Sequence, residues 1–332
     1  MPLPFVEGSS DASFAKASIL IQKINSQLNQ DLPQAETVYQ KISLVDTTSV
    51  AQITPYVFQV AGGLEAKLGY DKPISFGDSI VEKIYCEVEM WGSKPGQLVP
   101  IYDEQDPYHV VQRYANEWMR QMPKIPDRRL AELINANGNW ADNTPFFGTH
   151  VVNRNVKSDL ATKTFTNDIT VSGSPEAWYL QGYDTLRNIL GYDGTRLSVD
   201  LSYVKIVCSS MTMGLKFIKL FNAGINAEQI GGAAGSTTTR LVGSGEVIVM
   251  PELYDPNVPG SDRRFYMIAS DMLTTRPPFI TRIRMAPQIF MSSGGPDDLL
   301  ARNMSERGIW YKTSMGVSYG LPQKIVRATV TG

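Results

Sequence analysis

Two histidines, two cysteines, a net charge near zero and no long apolar run are what this chain of 332 residues has least to offer, and each shortage removes a class of function. His109 and His150 supply no His-x-x-x-His pair, and Cys86 and Cys208 form neither a Cys-x-x-Cys motif nor a disulfide framework, so zinc chemistry lacks its ligands. Two thiols in so long a chain fit a reducing cytosol, with both buried and free. No stretch approaches the roughly 18 apolar residues of a membrane span, and Met1-Pro2-Leu3-Pro4 lacks the basic-then-apolar order of a secretion signal, so no membrane partner is expected. A net charge of -2 excludes a surface that grips nucleic acid all over. There is no nucleophile elbow. Gly231-Gly232-Ala233-Ala234-Gly235-Ser236 lacks both the Gly-Lys-Ser/Thr ending and the buried strand that a phosphate loop needs. Asp103, Glu104, Asp106, Asp297 and Asp298 read as loop and helix-start charges, and nothing singles out a carboxylate pair for glycoside cleavage. The chain is read as no enzyme, with no catalytic, cofactor-binding or metal residues.

What is present is a scaffold. Composition, 42% hydrophobic and 19% charged, is that of a globular protein. From Asp106 as cap and Pro107 at the first helical position, Val110, Val111, Tyr114, Ala115, Trp118, Met119 and Met122 recur at three- and four-residue steps, which predicts one long helix with an apolar stripe. Val111, Tyr114, Trp118 and Met119 are its candidate core. Pro123 and Pro126 interrupt it, and a shorter helix restarts near Asp127 with Leu130, Leu133 and Ile134 inward and Gly138 as its stop. Asp142 to His150 then reads as an exposed segment.

Ahead of this lie an amphipathic helix on Phe14, Ala17, Ile21, Ile24 and Leu28, expected to dock as an arm, and two strand-rich stretches, Val38 to Val60 and Ile80 to Pro100. The alternation through Val81, Lys83, Tyr85, Glu87, Glu89 and Trp91 predicts a long hairpin with a Gly-rich tip at Gly62 to Lys72, which has too few strands to stand alone. Beyond Val151 the order is mixed. Ser174-Pro175-Glu176 opens a helix that stops at Gly191, Val204 to Cys208 is a strand feeding a helix at Met211 to Asn222, and Val247 to Met250 and Phe265 to Ala269 are further strands. Phe279 to Met291, Ile309 to Val317 and Ile325 to Val330 return to strand, as if completing a sheet begun before an α+β insertion.

Charge is unevenly spread. Residues 1–106 hold seven Lys, no Arg and fourteen acids, whereas residues 276–332 hold eight basic residues and three acids. Complementary surfaces between copies are one reading, with Glu82, Glu87 and Glu89 facing Arg282, Arg284 or Arg327; basic strands that face DNA are the other.

The order of elements resembles the Hong Kong 97 capsid fold of tailed-phage major capsid proteins. Phe146-Phe147-Gly148-Thr149-His150, Tyr203 to Ser210, Gly245 to Leu253, and Gly308-Ile309-Trp310-Tyr311 through Gly316, Tyr319-Gly320 and Gln323 are similar to the Mu-type major head subunit branch. The resemblance implies an α+β fold with an N-terminal arm (1–37), an extended β-hairpin loop (38–100), a peripheral domain with a spine helix (101–150), an inserted axial domain (151–275) and returning peripheral strands (276–332). It implies a virion protein that self-assembles into the hexamers and pentamers of an icosahedral shell around double-stranded DNA, with scaffold, portal and decoration proteins as further partners. Gly62, Gly63, Lys67 and Lys72 at the loop tip are then candidate contacts with a neighbouring copy. A tail tube or portal component, or an enzyme with an α+β insertion, are the competing readings.

Overall fold

Ile21 and Ile24, three residues apart, are the first buried apolar side chains among the described residues. The computed structural model describes residues 18–26, 37–47, 56–60, 80–92, 97–100, 107–152, 162–191, 194, 196, 197, 199, 200, 203–223, 245–270, 277–291 and 306–331. Helix α1 (18–26) carries both isoleucines. It is followed by α2 (Val38–Ile42), β1 (Leu44–Thr47), β2 (Tyr56–Val60), β3 (Ile80–Ile84), β4 (Glu89–Gly92), β5 (Gln97–Pro100), α3 (Pro107–Gln121) and α4 (Ile125–Ala136). Then come β6 (Thr149–Val151), β7 (Thr164–Thr166), β8 (Asp168–Val171), α5 (Pro175–Asn188), β9 (Val204–Cys208), α6 (Met211–Ala223), β10 (Glu246–Val249) and β11 (Arg264–Ala269). The chain closes on β12 (Phe279–Met291), β13 (Glu306–Tyr319) and β14 (Ile325–Val330).

Two five-stranded sheets organise these elements. In the first the order is β1-β12-β13-β4, with β5 also on β13; in the second it is β10-β9-β11-β14-β8. β2 and β3 pair antiparallel from Tyr56 with Ile84 to Val60 with Ile80, which is the hairpin read from the alternation. The rest of that reading is corrected. Val38–Ile42 is a helix because the buried Asp127 carboxylate accepts from the amides of Tyr39, at 2.7 Å, and Val38, at 3.4 Å, satisfying first-turn donors that no local side chain caps. β1 runs parallel to β12 instead of entering the hairpin, and after a break at residues 85–88 β4 leaves it to pair with β13, as β5 does.

The long helix forms as its spacing dictates. Tyr114, Ala115, Trp118, Met119 and Met122 face β12 and β13; Trp118 is buried and meets the Tyr311 ring edge-on at 5.5 Å, with Ile289, Ile309 and Met315 beside it. The cap reading at Asp106 and the side chain of Val111 lie outside the described residues. α1 packs into the same cluster, and Asn25 donates to the Ile289 carbonyl at 2.9 Å and accepts from its amide at 2.8 Å, so this helix docks on its own subunit. A 3-10 turn at Met122–Lys124 separates α3 from α4, and the stop of α4 is Asn137, left-handed at φ 45°, one residue before the glycine expected there.

In the second sheet β11 is central and buried on both faces: Tyr266 and Ile268 point to the core shared with the first sheet, Phe265, Met267 and Ala269 to the core beneath α5 and α6. Such a strand needs partners on both edges, and β14 takes the edge that β9 does not. The final strand therefore completes the sheet of the middle region and not the one formed by β12 and β13, a correction to the expectation for residues 276–332. Gly320 makes the crossing possible, since a Cβ there would lie 2.2 Å from the Pro277 carbonyl oxygen. α5 starts as read, with Ser174 accepting from the Ala177 amide and Pro175 at the first helical position, but it ends at Asn188, before Gly191.

Trp118→Ala should lower stability by roughly 3–5 kcal/mol, the cost of emptying a large aromatic site in a core. An unchanged denaturant midpoint would contradict the packing of α3 on β13.

Candidate assembly surfaces

The segment from Asp142 to His150, expected to be exposed, is so only in part: Asn143, Pro145 and Thr149 face solvent, while its aromatic residues turn inward. Phe146, Phe147 and His150 are buried. Phe146 stacks on Tyr319 at 4.4 Å and touches Phe279, and Phe147 lies against Tyr266 with the Arg327 guanidinium 4.8 Å from its ring. The two rings meet edge-on at 5.0 Å, so aromatic contacts run unbroken from the first sheet to the second.

Hydrogen bonds fix this turn at every corner. The Asn137 side chain accepts from the Phe147 amide at 2.7 Å and donates to its carbonyl; Tyr319 donates to the Leu133 carbonyl at 2.6 Å and accepts from the Gly138 amide at 2.7 Å. Asn167, fully buried, accepts from the Gly148 amide and donates to the carbonyls of Phe146 and Pro322. His150 Nε2 donates to the Phe146 carbonyl at 2.9 Å, and Nδ1 meets the Asp142 carboxylate at 2.7 Å. Burial pushes the Asp142 carboxyl up, but the Thr144 hydroxyl, the His150 ring and the Thr144 amide outweigh it and hold the group below the usual carboxylate range. These groups were missed as a site because their polarity suggested solvent; the one legible signal was their clustering after a helix stop.

The charged residues proposed as contacts fall into two groups. Arg327 forms a fork with Asp168 at 2.6 and 2.9 Å, and Arg282 bonds Asp46 at 3.2 Å; both arginines are buried and both carboxylates are of the same chain. The early acids and late bases do meet, but through Asp46 and Arg282 of neighbouring strands. Glu87, Glu89 and Arg284 are exposed. Gly62, Gly63, Lys67, Lys72 and the side chain of Glu82 lie outside the described residues. His109 is on α3, its side chain likewise outside.

Burial pushes the Cys86 thiol up to about 11 and the Cys208 thiol up to about 12, so neither supplies a nucleophilic thiolate near neutral pH. The Asp127 carboxyl is raised by burial and occupied by two amides.

What remains open to solvent is apolar in places. Alternate residues of the first sheet point away from α3: Met90 is 68% exposed, and Phe290 and Trp310 stack 6.3 Å apart with the Lys312 ammonium 5.9 Å from each ring. On α6, Met211 and Leu215 stand outward one turn apart.

No family model matches the sequence, and no curated protein matches it by sequence. Solved structures do match. A capsid structure of the cyanophage P-SCSP1u aligns at a TM-score of 0.54 with 10% identity, covering 89% of this chain and 88% of that one. The mature capsid of bacteriophage PhiM1 aligns at 0.50 with 10% identity over 90% and 88%. A structure of Mycobacterium phage Patience aligns at 0.50 with 10% identity over 99% and 89%. The chain has the mixed α+β capsid fold of tailed phages.

Because the folded carboxyl of Asp142 titrates below its unfolded value, its stabilisation is complete above the unfolded pKa and is lost as pH falls through the folded one. The melting temperature of the wild type should therefore drop more steeply on acidification below about pH 4 than that of Asp142→Asn. Parallel curves would show that the Asp142 network does not stabilise the fold.

Proposed function

We propose that this chain is the major capsid protein of a tailed bacteriophage, a structural virion component and not an enzyme. The observation that supports this is a capsid fold shared over nearly the whole length of both chains with the cyanophage and PhiM1 capsids. On this reading copies close into hexamers and pentamers of an icosahedral shell, assembled in the host cytoplasm, which encloses double-stranded DNA and takes scaffold, portal and decoration proteins as partners. The ordered segments from Phe146-Phe147 to Tyr319-Gly320 support placement in the Mu-type major head branch.

The fold gives each proposed part a physical role. Residues 1–37 are the proposed arm, of which α1 packs on its own chain, and 38–100 include a ribbon whose β2–β3 pair bonds only to itself among the described strands. A two-stranded ribbon is marginal alone, which supports its tip, Gly62 to Lys72, lying on a neighbour. Residues 101–150 and β12–β13 form the peripheral unit, and 151–275 with β14 the axial one. Met90, Phe290 and Trp310 make an open apolar face of the kind a neighbouring copy covers. Glu87, Glu89 and Arg284 are exposed charges available to pair with a neighbouring copy, each pair contributing under about 1 kcal/mol and acting chiefly on encounter rate.

Deleting residues 62–72 should leave a folded subunit that no longer forms closed particles, read by circular dichroism and by sedimentation of assembled material. Particles of normal yield and size would exclude the tip as a contact, and open tubes or single rings from the wild type would point to a tail or portal component.

A further inference from the structure

The outward side of α3 and α4 carries a row of exposed cations, of which Arg113 lies 5.7 Å from the Tyr114 ring and Lys124 acts on the buried Asp127. Both helices lie on one face of the first sheet: Trp118 of α3 touches Tyr311, Arg129 of α4 covers Trp91, which pairs with Thr313, and Tyr319 bonds to α4, all through odd-numbered residues of β13 or their cross-strand partners. Side chains pointing away from that sheet thus share one side. On α3, Arg113 and Arg120 project opposite to the buried Ala115 and Trp118, and Lys124 and Arg128 continue the exposed row. Arg113 and Arg120 are seven residues apart, about 10 Å along a helix axis.

The acids on α3 and α4 are engaged, whereas the exposed Glu87 and Glu89 lie on the same face of the sheet, in a cleft shared with Trp91 and Arg129. Glu117 accepts from the Gln121 amide at 3.3 Å, Glu132 is taken by Arg129, and Asp127 is buried under α2. None of the four cations makes an ion pair with a described carboxylate. A shallow cleft on α3 is lined by the donors Gln112, Arg113, Asn116 and Arg120, with the Glu117 carboxylate as its one acidic group. Neither α3 nor α4 contributes a side chain to the exposed large hydrophobics of the described residues. A protein partner needs buried apolar or aromatic anchors at the centre of its interface, whereas a phosphate backbone needs only spaced cations and donors.

We infer that the Arg113–Arg120–Lys124–Arg128 row is the surface that contacts the phosphate backbone of double-stranded DNA, without base recognition. The inference rests on the proposed shell for its setting, since it makes this side of the subunit the inner one. One subunit offers four charges and binds weakly; an array of copies multiplies the same contact.

The test compares wild type with Arg113→Gln/Arg120→Gln/Lys124→Gln/Arg128→Gln and with a charge-matched control, Arg187→Gln/Lys216→Gln/Lys219→Gln/Arg196→Gln, on exposed positions elsewhere. Binding of a labelled random-sequence duplex is measured by fluorescence anisotropy over a series of KCl concentrations, with thermal midpoints to verify folding and electron microscopy to score particles. The row variant should lose at least tenfold in affinity at low salt and flatten the log–log salt slope by about 3 to 4, the loss expected for four phosphate contacts, with unchanged particle formation. The control should bind like wild type. Equal loss in both variants would reduce the effect to bulk charge and overturn the inference, as would wild-type affinity in the row variant. Lost assembly with intact duplex binding would also overturn it and assign the row to an acidic protein surface. Absence of shells from the wild type would count against the assembly reading alone, because the duplex measurement does not require them.

Discussion

Everything in this subunit depends on the buried turn that carries Phe146 and Phe147. The two rings bridge sheets that share almost no strand hydrogen bonds, and the polar atoms that must be buried with them are satisfied by Asn137, Asn167, His150 and Tyr319. Removing one partner would strand a desolvated amide or carbonyl, so the turn holds a single geometry. The relative placement of the two sheets follows from it, and β14 then passes beneath the turn to make Arg327 the cation of both the Asp168 fork and the Phe147 ring.

The charge drift along the sequence takes on a different meaning once the sheets are drawn. Asp46 on β1 meets Arg282 on β12 because those strands are parallel neighbours, and Asp168 meets Arg327 because β8 and β14 are. Part of the early-acid, late-base asymmetry therefore records intramolecular strand pairing. The outward cations of α3 and α4 belong to neither pairing.

Much of the fold was legible wherever local chemistry and burial agree. β9, β12 and β14 match their expected limits because apolar side chains on one or both faces mark them, and α5 is announced by Ser174 and Pro175. The unread parts depend on distant residues. α2 is helical because of a carboxylate 88 residues away, and five residues with such a high strand tendency gave no local sign of it. Asp142, Asn167 and His150 look like surface residues until the carbonyls and amides they satisfy are buried beside them. That β14 joins the second sheet was invisible for the same reason: a strand's sequence states that it is buried, not which edge it fills.

Electron cryo-microscopy of particles formed by the full chain tests the central claim most directly. The account predicts closed icosahedral shells of hexamers and pentamers in which the Phe146–Phe147 junction is identical in every copy and the β2–β3 ribbon reaches a neighbouring subunit. Monomers under all assembly conditions, or open rings and tubes, would contradict it.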